Sequence, residues 1–349
     1  MPLFPSLDLE LPVIQAPLAG VQDSTLALAV CAAGGLGSLP AAMLSLEQLH
    51  AELSTLKAGT DRPWNVNFFA HTPPTPDPAR ETAWRQTLLP YYRELGIDPE
   101  NIPVGAGRQP FSHAAADLID MFRPAVVSFH FGLPTDDLLQ RVRPSGAKII
   151  ASATTVDEAR WLEKHGVDAV IAQGLEAGGH RGHFLSDDLT KQMGTLALLP
   201  QIVAAVRCPV IAAGGIVNTA SAAAARALGA TAIQAGTAYL LCPEANTSAL
   251  HRAALQGAGA EHTALTNLFS GHPARGIVNR LMREQALLNL AAPAFPLATA
   301  ALAPLRTAAE KLGNADFTPL WSGQNAHACR IAPAAEITRE LARGFALAD

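Results

Sequence analysis

The sequence predicts an α/β fold, a (β/α)₈ TIM barrel with a smaller, mostly helical second domain near the C-terminus. Eight short apolar runs each end in Gly, Pro or a polar residue, and helix-like stretches separate them. Together they occupy about 240 residues, close to the usual length of such a barrel. Because the runs are continuously apolar, the strands should be covered on both faces and run parallel. A doubly wound open sheet is the alternative arrangement.

The predicted strands and helices alternate along the chain. The strands cover residues 13–17, 36–40, 64–69, 125–131, 148–153, 169–173, 209–213 and 232–235. The helices between them include 24–33, 45–56, 155–165, 195–206 and 218–228. Gly166 and Gly229 suit the position just after a helix, where a left-handed backbone is common.

Two segments fall outside this alternation. Residues 71–107 contain four prolines near their start and then a polar helical pattern at 82–95, which indicates an insertion after the third strand. Residues 244–320 show no strand pattern and are expected to form a helical substrate or lid domain over the barrel mouth. The barrel domain is then 1–243, and we expect 321–349 to pack back on it.

Composition excludes several classes of protein. Hydrophobic residues make up 49% of the 349 residues and charged ones 16%, so the chain must bury a large core and is not disordered. The formal net charge of −5 leaves no basic surplus for binding nucleic acid. The stretch between Glu284 and Arg306 is uncharged, but three prolines interrupt it, so we expect no membrane segment.

The first residues and the cysteines predict a cytoplasmic protein. Residues 1–4 lack the basic and apolar pattern of an export signal. The four cysteines form no C-x-x-C pair and are too sparse to staple the chain, so we expect free thiols in a reducing compartment. Alanine-rich helical surface is compatible with a monomer or a homodimer.

Polar side chains stand at the predicted carboxyl ends of the strands, where the active site of a barrel forms. In chain order these residues are Gln15, Ser38, Asn67, His130, Ser152, Gln173, Gly214, Gly215 and Gln234. The ring they form is uncharged and contains one imidazole. It suits a neutral, hydrogen-bonding heterocycle better than a metal, which would need carboxylates or several imidazoles, so we expect no metal.

Two glycine-containing turns predict a phosphate site. Gly214-Gly215 follows the seventh strand, and Gln234-Ala235-Gly236-Thr237 runs from the eighth strand into the next turn. Glycines let backbone N–H groups approach an anion, and the Thr237 hydroxyl adds a donor. Barrels commonly bind phosphate after these two strands. The alternative is that the glycines serve only as tight turns.

The loop after the sixth strand, residues 174–183, is too rich in glycine to be a helix. Gln173 offers a two-sided amide to the edge of a ring, and the Gly178-Gly179 backbone can lie against a flat or anionic ligand. His180 is expected to project from this flexible loop over the barrel mouth. The alternatives are a metal site formed by His180 and His183, or surface positions for these histidines; for His183 the surface position is the expected one.

These segments together resemble the nitronate monooxygenases, a family formerly called 2-nitropropane dioxygenases. The resemblance spans nearly the whole chain, and the stretch around His130 is similar to the bacterial class I branch. The segments that carry it are 15–20, 65–69, 128–132, 173–182, 234–237, 269–271, 273–276 and 320–324.

The resemblance implies FMN as cofactor and a set of site residues. His180 would be the catalytic histidine and His130 a second active-site imidazole. The residues that would contact FMN are Asn67, Gln173, Gly178, Gly179, Gly214, Gly215, Gln234, Ala235, Gly236 and Thr237. The family also places tyrosines and a lysine in the C-terminal part of the pocket. This chain departs from that pattern, with Phe295 at an aromatic-like position and no matching lysine between Arg283 and Arg306.

The implied reaction is the oxidation of anionic alkyl nitronates, such as propionate 3-nitronate, with O₂ to a carbonyl compound and nitrite or nitrate, a detoxification. His180 would hold the nitronate as a hydrogen-bond donor or partial cation, or act as general base toward a neutral nitroalkane. His130 would orient the nitro oxygens. The alternatives are an NADH-dependent quinone or enoyl-thioester reductase of the FabK type, or a barrel that binds a phosphorylated metabolite without flavin.

Overall fold

The computed structural model describes residues 3–4, 6–7, 9–102 and 108–346. Residues 1–2, on which the export prediction partly rests, and 103–107, the end of the predicted insertion, lie outside the described residues.

The strands and helices match the predicted alternation, with ends that differ by a few residues. The strands are β1 Val13–Gln15, β2 Gly37–Pro40, β3 Trp64–Phe69, β4 Val126–His130, β5 Lys148–Ala153, β6 Ala169–Gln173, β7 Gly179–His180, β8 Val210–Ala213, β9 Ala232–Ala235, β10 Thr263–Thr266 and β11 Ala274–Ile277. The helices are α1 Ser24–Ala32, α2 Leu46–Gly59, α3 Pro78–Glu94, α4 His113–Phe122, α5 Asp136–Val142, α6 Val156–Lys164, α7 Thr195–Ala205, α8 Thr219–Ala227, α9 Ala249–Gln256, α10 Arg280–Glu284, α11 Ala298–Lys311 and α12 Ala334–Ala346.

Eight strands form a closed parallel barrel. Their order is β1-β9-β8-β6-β5-β4-β3-β2, and every neighbouring pair is parallel. The ring closes between β1 and β2, where Gln15 N donates to Leu36 O at 3.0 Å and Leu36 N donates to Val13 O at 2.9 Å. This closure confirms the predicted barrel and excludes the open doubly wound sheet.

The barrel interior is apolar at one end and polar near the other. Ile14, Ile150 and Ile211 are buried in one cluster with Leu3 and Phe4. Above this cluster lies a layer of hydrogen-bonded side chains. Asn65 Nδ2 donates to the hydroxyls of Ser38 and Ser128, both at 2.9 Å. A layer of hydrogen-bonded polar side chains therefore lies between the apolar cluster and the carboxyl ends of the strands.

A second apolar cluster joins two distant parts of the chain. Trp84 and Tyr92 of α3 pack with Leu302 and Leu305 of α11 and with Phe317. The Tyr92 hydroxyl donates to Ala301 O at 2.6 Å. The unit formed by residues 78–102 and 263–320 is called the cap below. The predicted insertion after β3 thus shares a core with the C-terminal helical region.

The expectation that residues 244–320 contain no strand is wrong. Strands β10 and β11 lie in this segment and form an antiparallel sheet with β7. The sequences of these strands, Thr-Ala-Leu-Thr and Ala-Arg-Gly-Ile, are only four residues long and lack a continuous apolar run. Their pairing depends on contacts between distant segments, which local patterning does not reveal.

Helix α12 packs on the outside of the barrel. Ile337, Leu341 and Phe345 join the core between strands and helices, and the Thr338 hydroxyl lies 2.9 Å from the hydroxyl of Tyr239. Among the helices of the described ranges, none has the length and apolar character needed to span a membrane.

Candidate active site

A cavity of about 260 Å³ opens at the carboxyl ends of the barrel strands, beneath the cap. Of the predicted site residues, those on its lining are His180, His130, Asn67, Gln173, Gly178, Gly179, Gly214, Gly215, Gln234, Gly236 and Thr237. Ala235 is buried and belongs to the core between strands and helices instead. Successive residues of a strand face opposite sides, so Gln234 and Ala235 cannot both face the cavity.

The inner end of the cavity is built from backbone at the ends of β8 and β9. Gly214 and Gly215 adopt positive φ angles of 112° and 74°, which favour glycine. Within the described ranges, no acceptor is found for the amide N–H groups of Gly214, Gly215, Gly236 and Thr237. The Thr237 hydroxyl accepts from Gly323 N at 3.0 Å, which leaves its own proton for a ligand. Unpaired N–H groups in such a turn favour an anion.

Two neutral amides line the same cavity. Asn67 Nδ2 donates to the Ser128 hydroxyl at 3.0 Å. The carbonyl oxygen of the Gln234 side chain is buried and has no hydrogen-bond partner among the described residues. An unpaired buried acceptor is costly, so it indicates a ligand that carries an N–H or O–H group at this position.

The loop that carries His180 is tied to the barrel and is not free. Glu176 accepts from Thr195 N at the start of α7, at 2.8 and 2.9 Å. Arg181 is fully buried and donates to the carbonyl oxygens of Gly174 and Gln173, at 2.6 and 2.7 Å. With β7 also paired to β11, the expectation of a flexible loop at His180 is wrong. Arg181 and Glu176 therefore hold the loop in place.

His180 is half-buried and projects into the cavity from β7. Its Nε2 lies 2.8 Å from the hydroxyl of Ser270. No partner of Nδ1 is found among the described residues, which leaves this nitrogen for a substrate. Its side chain is thus oriented by one hydrogen bond and has one ring nitrogen available.

Burial keeps the histidines around the cavity neutral. Desolvation, followed by the positive charge of Arg108, holds the pKa of His180 well below its usual value of 6.5. Desolvation also lowers the pKa of His130 to about 4 and that of His272 to about 3. At neutral pH these imidazoles therefore have no charge.

His130 and Gln173 both hold the backbone of β7. His130 uses both ring nitrogens, with Nε2 3.1 Å from His180 O and Nδ1 3.1 Å from the Ser152 hydroxyl. The Gln173 side chain donates to His180 O at 3.0 Å and accepts from Gly182 N at 2.8 Å. The two side chains that the sequence placed at the carboxyl ends of β4 and β6 thus converge on the same carbonyl group.

The outer end of the cavity is aromatic and positively charged. The Phe295 ring centre lies 5.3 Å from that of His180, and Trp321 lies 5.5 Å from it. The Arg108 guanidinium carbon lies 5.8 Å from the centre of the Phe295 ring. Three further side chains of the site, those of Ser270, Arg108 and Trp321, were not among the predicted site residues. Ser270 and Trp321 lie in segments that carry the resemblance, whereas no local pattern points to Arg108.

His183 is not on the surface, so that expectation is wrong. Its side chain is buried and stacks on His272, with ring centres 4.3 Å apart. This stacking follows from the approach of residues 270–273 to the loop, which the sequence pattern does not show. Across the described ranges there is no group of three or more His, Cys, Asp or Glu side chains that could hold a metal ion.

Comparison with known proteins places the chain in one family. The family model for nitronate monooxygenase matches residues 3–344. A nitronate monooxygenase of Pseudomonas aeruginosa is 43% identical over 96% of both chains. The structure of a nitroalkane oxidase from Streptomyces ansochromogenes has a TM-score of 0.88 at 38% identity and covers 98% of this chain and 97% of that one.

A more distant structure shares the same architecture. A variant of FabK from Thermotoga maritima is 26% identical, with a TM-score of 0.71 over 98% of this chain and 94% of that one. The full-length family match and the greater identity of the nitronate monooxygenase outweigh this likeness. The chain is an oxidoreductase that belongs to the nitronate monooxygenase family.

Proposed function

We propose that the enzyme uses FMN to oxidise alkyl nitronates, such as propionate 3-nitronate, with O₂ to a carbonyl compound and nitrite or nitrate. Its role would be detoxification in the cytoplasm, as a class I enzyme acting as a monomer or homodimer. The observation that carries this proposal is His180, which lines a cavity with a neutral, glycine-lined inner end and whose Nδ1 has no partner among the described residues.

The residues of the inner end fit FMN. The unpaired N–H groups of Gly214, Gly215, Gly236 and Thr237 suit its phosphate. The orphaned carbonyl oxygen of Gln234 suits a donor on the ribityl chain or the ring, and Asn67 lines the same cavity. When bound, FMN supplies the electron transfer between the nitronate and O₂.

His180 would act on the nitronate as a neutral imidazole. Ser270 can accept the proton of Nε2–H or donate its own to Nε2, and this choice sets the tautomer. If Ser270 donates, Nδ1–H is a hydrogen-bond donor to a nitronate oxygen. If Ser270 accepts, the Nδ1 lone pair can take the α-proton of a neutral nitroalkane. The low pKa of His180 keeps the ring uncharged, so the donor in the first role is a neutral N–H and the lone pair needed for the second role is available.

His130 would act as a positioning residue. Both of its ring nitrogens already have partners in the protein, namely His180 O and the Ser152 hydroxyl. Direct orientation of the nitro oxygens would require breaking one of these hydrogen bonds. We therefore expect His130 to act through the backbone of His180.

The substitution His180→Asn tests the proposal. It keeps a polar side chain but removes the imidazole, so we expect turnover of propionate 3-nitronate to fall by about 100-fold or more. Bound flavin, measured by its visible absorbance, should be retained. His113→Asn, at an exposed position on α4, is the matched control and should keep full activity. Full turnover by the His180 variant, or a protein that takes up no FMN, would contradict the proposal.

The likeness to FabK supports an NADH-dependent flavin reductase as the second candidate. Anaerobic mixing with NADH separates the two functions. Rapid bleaching of the flavin by NADH would favour the reductase. Slow bleaching by NADH together with fast reduction by propionate 3-nitronate would favour nitronate oxidation.

A further inference from the structure

Arg108 is a cation in the candidate active-site cavity for which the described part of the chain supplies no counter-ion. Its half-buried side chain lines the outer end of the cavity, beside Phe295. Within the described ranges it makes no ion pair and no hydrogen bond to a carboxylate. A desolvated guanidinium without an anion is unfavourable, so a cavity that keeps one is suited to an anionic ligand.

The side chains that line the cavity show the same excess of positive charge. Among the described residues, the lining includes two arginines, Arg108 and Arg306, and no Asp or Glu. Arg306 is already paired, because its Nε donates to Glu310 at 2.7 Å. Burial lowers the pKa of the Arg108 guanidinium, and the positive charge of Arg306 lowers this pKa further. Arg108 is therefore the charge that a ligand has to balance.

The aromatic ring of Phe295 lies close to both Arg108 and His180, the proposed catalytic histidine. Its centre lies 5.3 Å from the His180 ring and 5.8 Å from the Arg108 guanidinium carbon. Phe295 itself is buried beside both residues, whereas His180, Arg108 and Phe69 line the cavity. A small molecule that has its reacting group at His180 can thus extend within the cavity toward Arg108. The apolar middle and the charged end match a short chain that carries an anionic group at the end opposite the nitronate.

We propose that Arg108 determines substrate specificity, selecting nitronates whose tail ends in a carboxylate over nitronates with an uncharged tail. This inference rests on the proposed nitronate oxidation. Arg108 would bind the carboxylate, while His180 acts at the nitronate end. It would therefore affect substrate binding more than the chemical step, because it is remote from the reacting carbon.

Two substrates of equal length test this selection in the FMN-loaded enzyme. Propionate 3-nitronate carries a carboxylate where propyl 1-nitronate has a methyl group. We expect kcat/KM to be at least about 10-fold higher for the carboxylated substrate. Arg108→Gln should lower that value by about 10- to 100-fold, mainly through KM, and change the value for propyl 1-nitronate less than about 3-fold.

Two further variants separate the effect of the Arg108 charge from a general effect of substitution on folding. Arg108→Lys keeps the positive charge and should retain part of the preference, whereas Arg339→Gln, at an exposed position on α12, should leave both substrates unaffected. A wild type that oxidises propyl 1-nitronate as well as the carboxylated nitronate would overturn the role of Arg108 and leave the proposed function intact. An equal loss on both substrates in Arg108→Gln would also overturn it.

Binding without turnover provides an independent readout. Anaerobic calorimetry with 3-nitropropionate and 1-nitropropane should show tighter binding of the carboxylate, and Arg108→Gln should abolish the difference. If the wild type oxidises neither nitronate, the proposed function fails and the selection of nitronates by Arg108 fails with it, while the calorimetric difference still shows whether Arg108 binds a carboxylate. Equal affinities for the two ligands in the wild type would overturn the role of Arg108.

Discussion

The two ends of the cavity are built in opposite ways. The inner end consists of backbone and neutral amides from consecutive barrel strands, such as Gly214, Gly215 and Gln234. The outer end consists of side chains from distant segments, including His180, Arg108 and Trp321. A cofactor can be held by backbone groups and neutral amides, whereas the selection of a substrate depends on the side chains that it meets. We infer that the inner end serves FMN and the outer end the substrate.

Acidification should act first on the outer end of the cavity. Of the changes considered below, it should cause the largest loss of stability. The folded pKa values of His130 and His183 are about 4 and that of His272 is about 3, below the usual 6.5. Between these pKa values and 6.5, the histidines therefore bind protons in the unfolded chain but not in the folded chain. Stability should be complete above pH 6.5 and fall as the pH drops toward 4, by up to a few kcal/mol for each histidine.

Thermal unfolding between pH 7.5 and 4.5 measures this loss. Burial also lowers the pKa of His251 to about 4. His251→Gln should therefore reduce the dependence of stability on pH by the contribution of about one proton. The exposed His113, replaced by Gln, is the control and should leave the slope unchanged. A melting temperature that stays constant between pH 6.5 and 5 would show that these histidines do not govern acid stability.

A glycine substitution should disrupt the inner end. A Cβ at Gly178 would lie 2.5 Å from the backbone nitrogen of Gly323, so the backbone must move. We expect Gly178→Ala to cost about 1–3 kcal/mol of stability and to weaken FMN binding by about 10-fold or more. Retained flavin after dialysis and the thermal midpoint measure the two effects.

The control for this substitution is Gly259→Ala, because a Cβ at Gly259 meets no atom within 4 Å. It should bind FMN as the wild type does. Normal flavin content in Gly178→Ala would mean that the loop before His180 does not shape the cofactor end of the cavity.

Ser270 offers a smaller test, confined to the outer end. Ser270→Ala removes the hydrogen bond to His180 Nε2 and should lower kcat/KM by about 10-fold with bound flavin unchanged. Because the tautomer and pKa of His180 would change, the pH profile of kcat/KM should shift as well. Ser270→Thr keeps the hydroxyl and should restore most of the activity. An unchanged pH profile in Ser270→Ala would argue against a positioning role.

Most of the barrel side of the site could be predicted from local patterns. Continuous apolar runs gave eight strands, all of which the structure contains. Polar residues at their ends, such as Asn67 and Gln173, line the cavity because parallel strands bring their carboxyl ends to one face. Gln15 and Ser38 lie deeper and are hydrogen-bonded to each other, Ser38 N donating to the side-chain oxygen Oε1 of Gln15 at 3.0 Å. The pattern thus located the active face without showing which polar side chains reach the cavity.

What the sequence determined by itself was the set of features that repeat along the chain: strand, helix, polar strand end and glycine turn. These depend on neighbouring residues, so a local pattern is sufficient. Only the tertiary structure decided that Ser270 lies against His180, 90 residues away, that β7 and β11 pair, and that Arg108 enters the cavity with no counter-ion among the described residues. These contacts join segments that are distant in the chain, and packing sets the partners because the sequence of one segment carries no sign of the other.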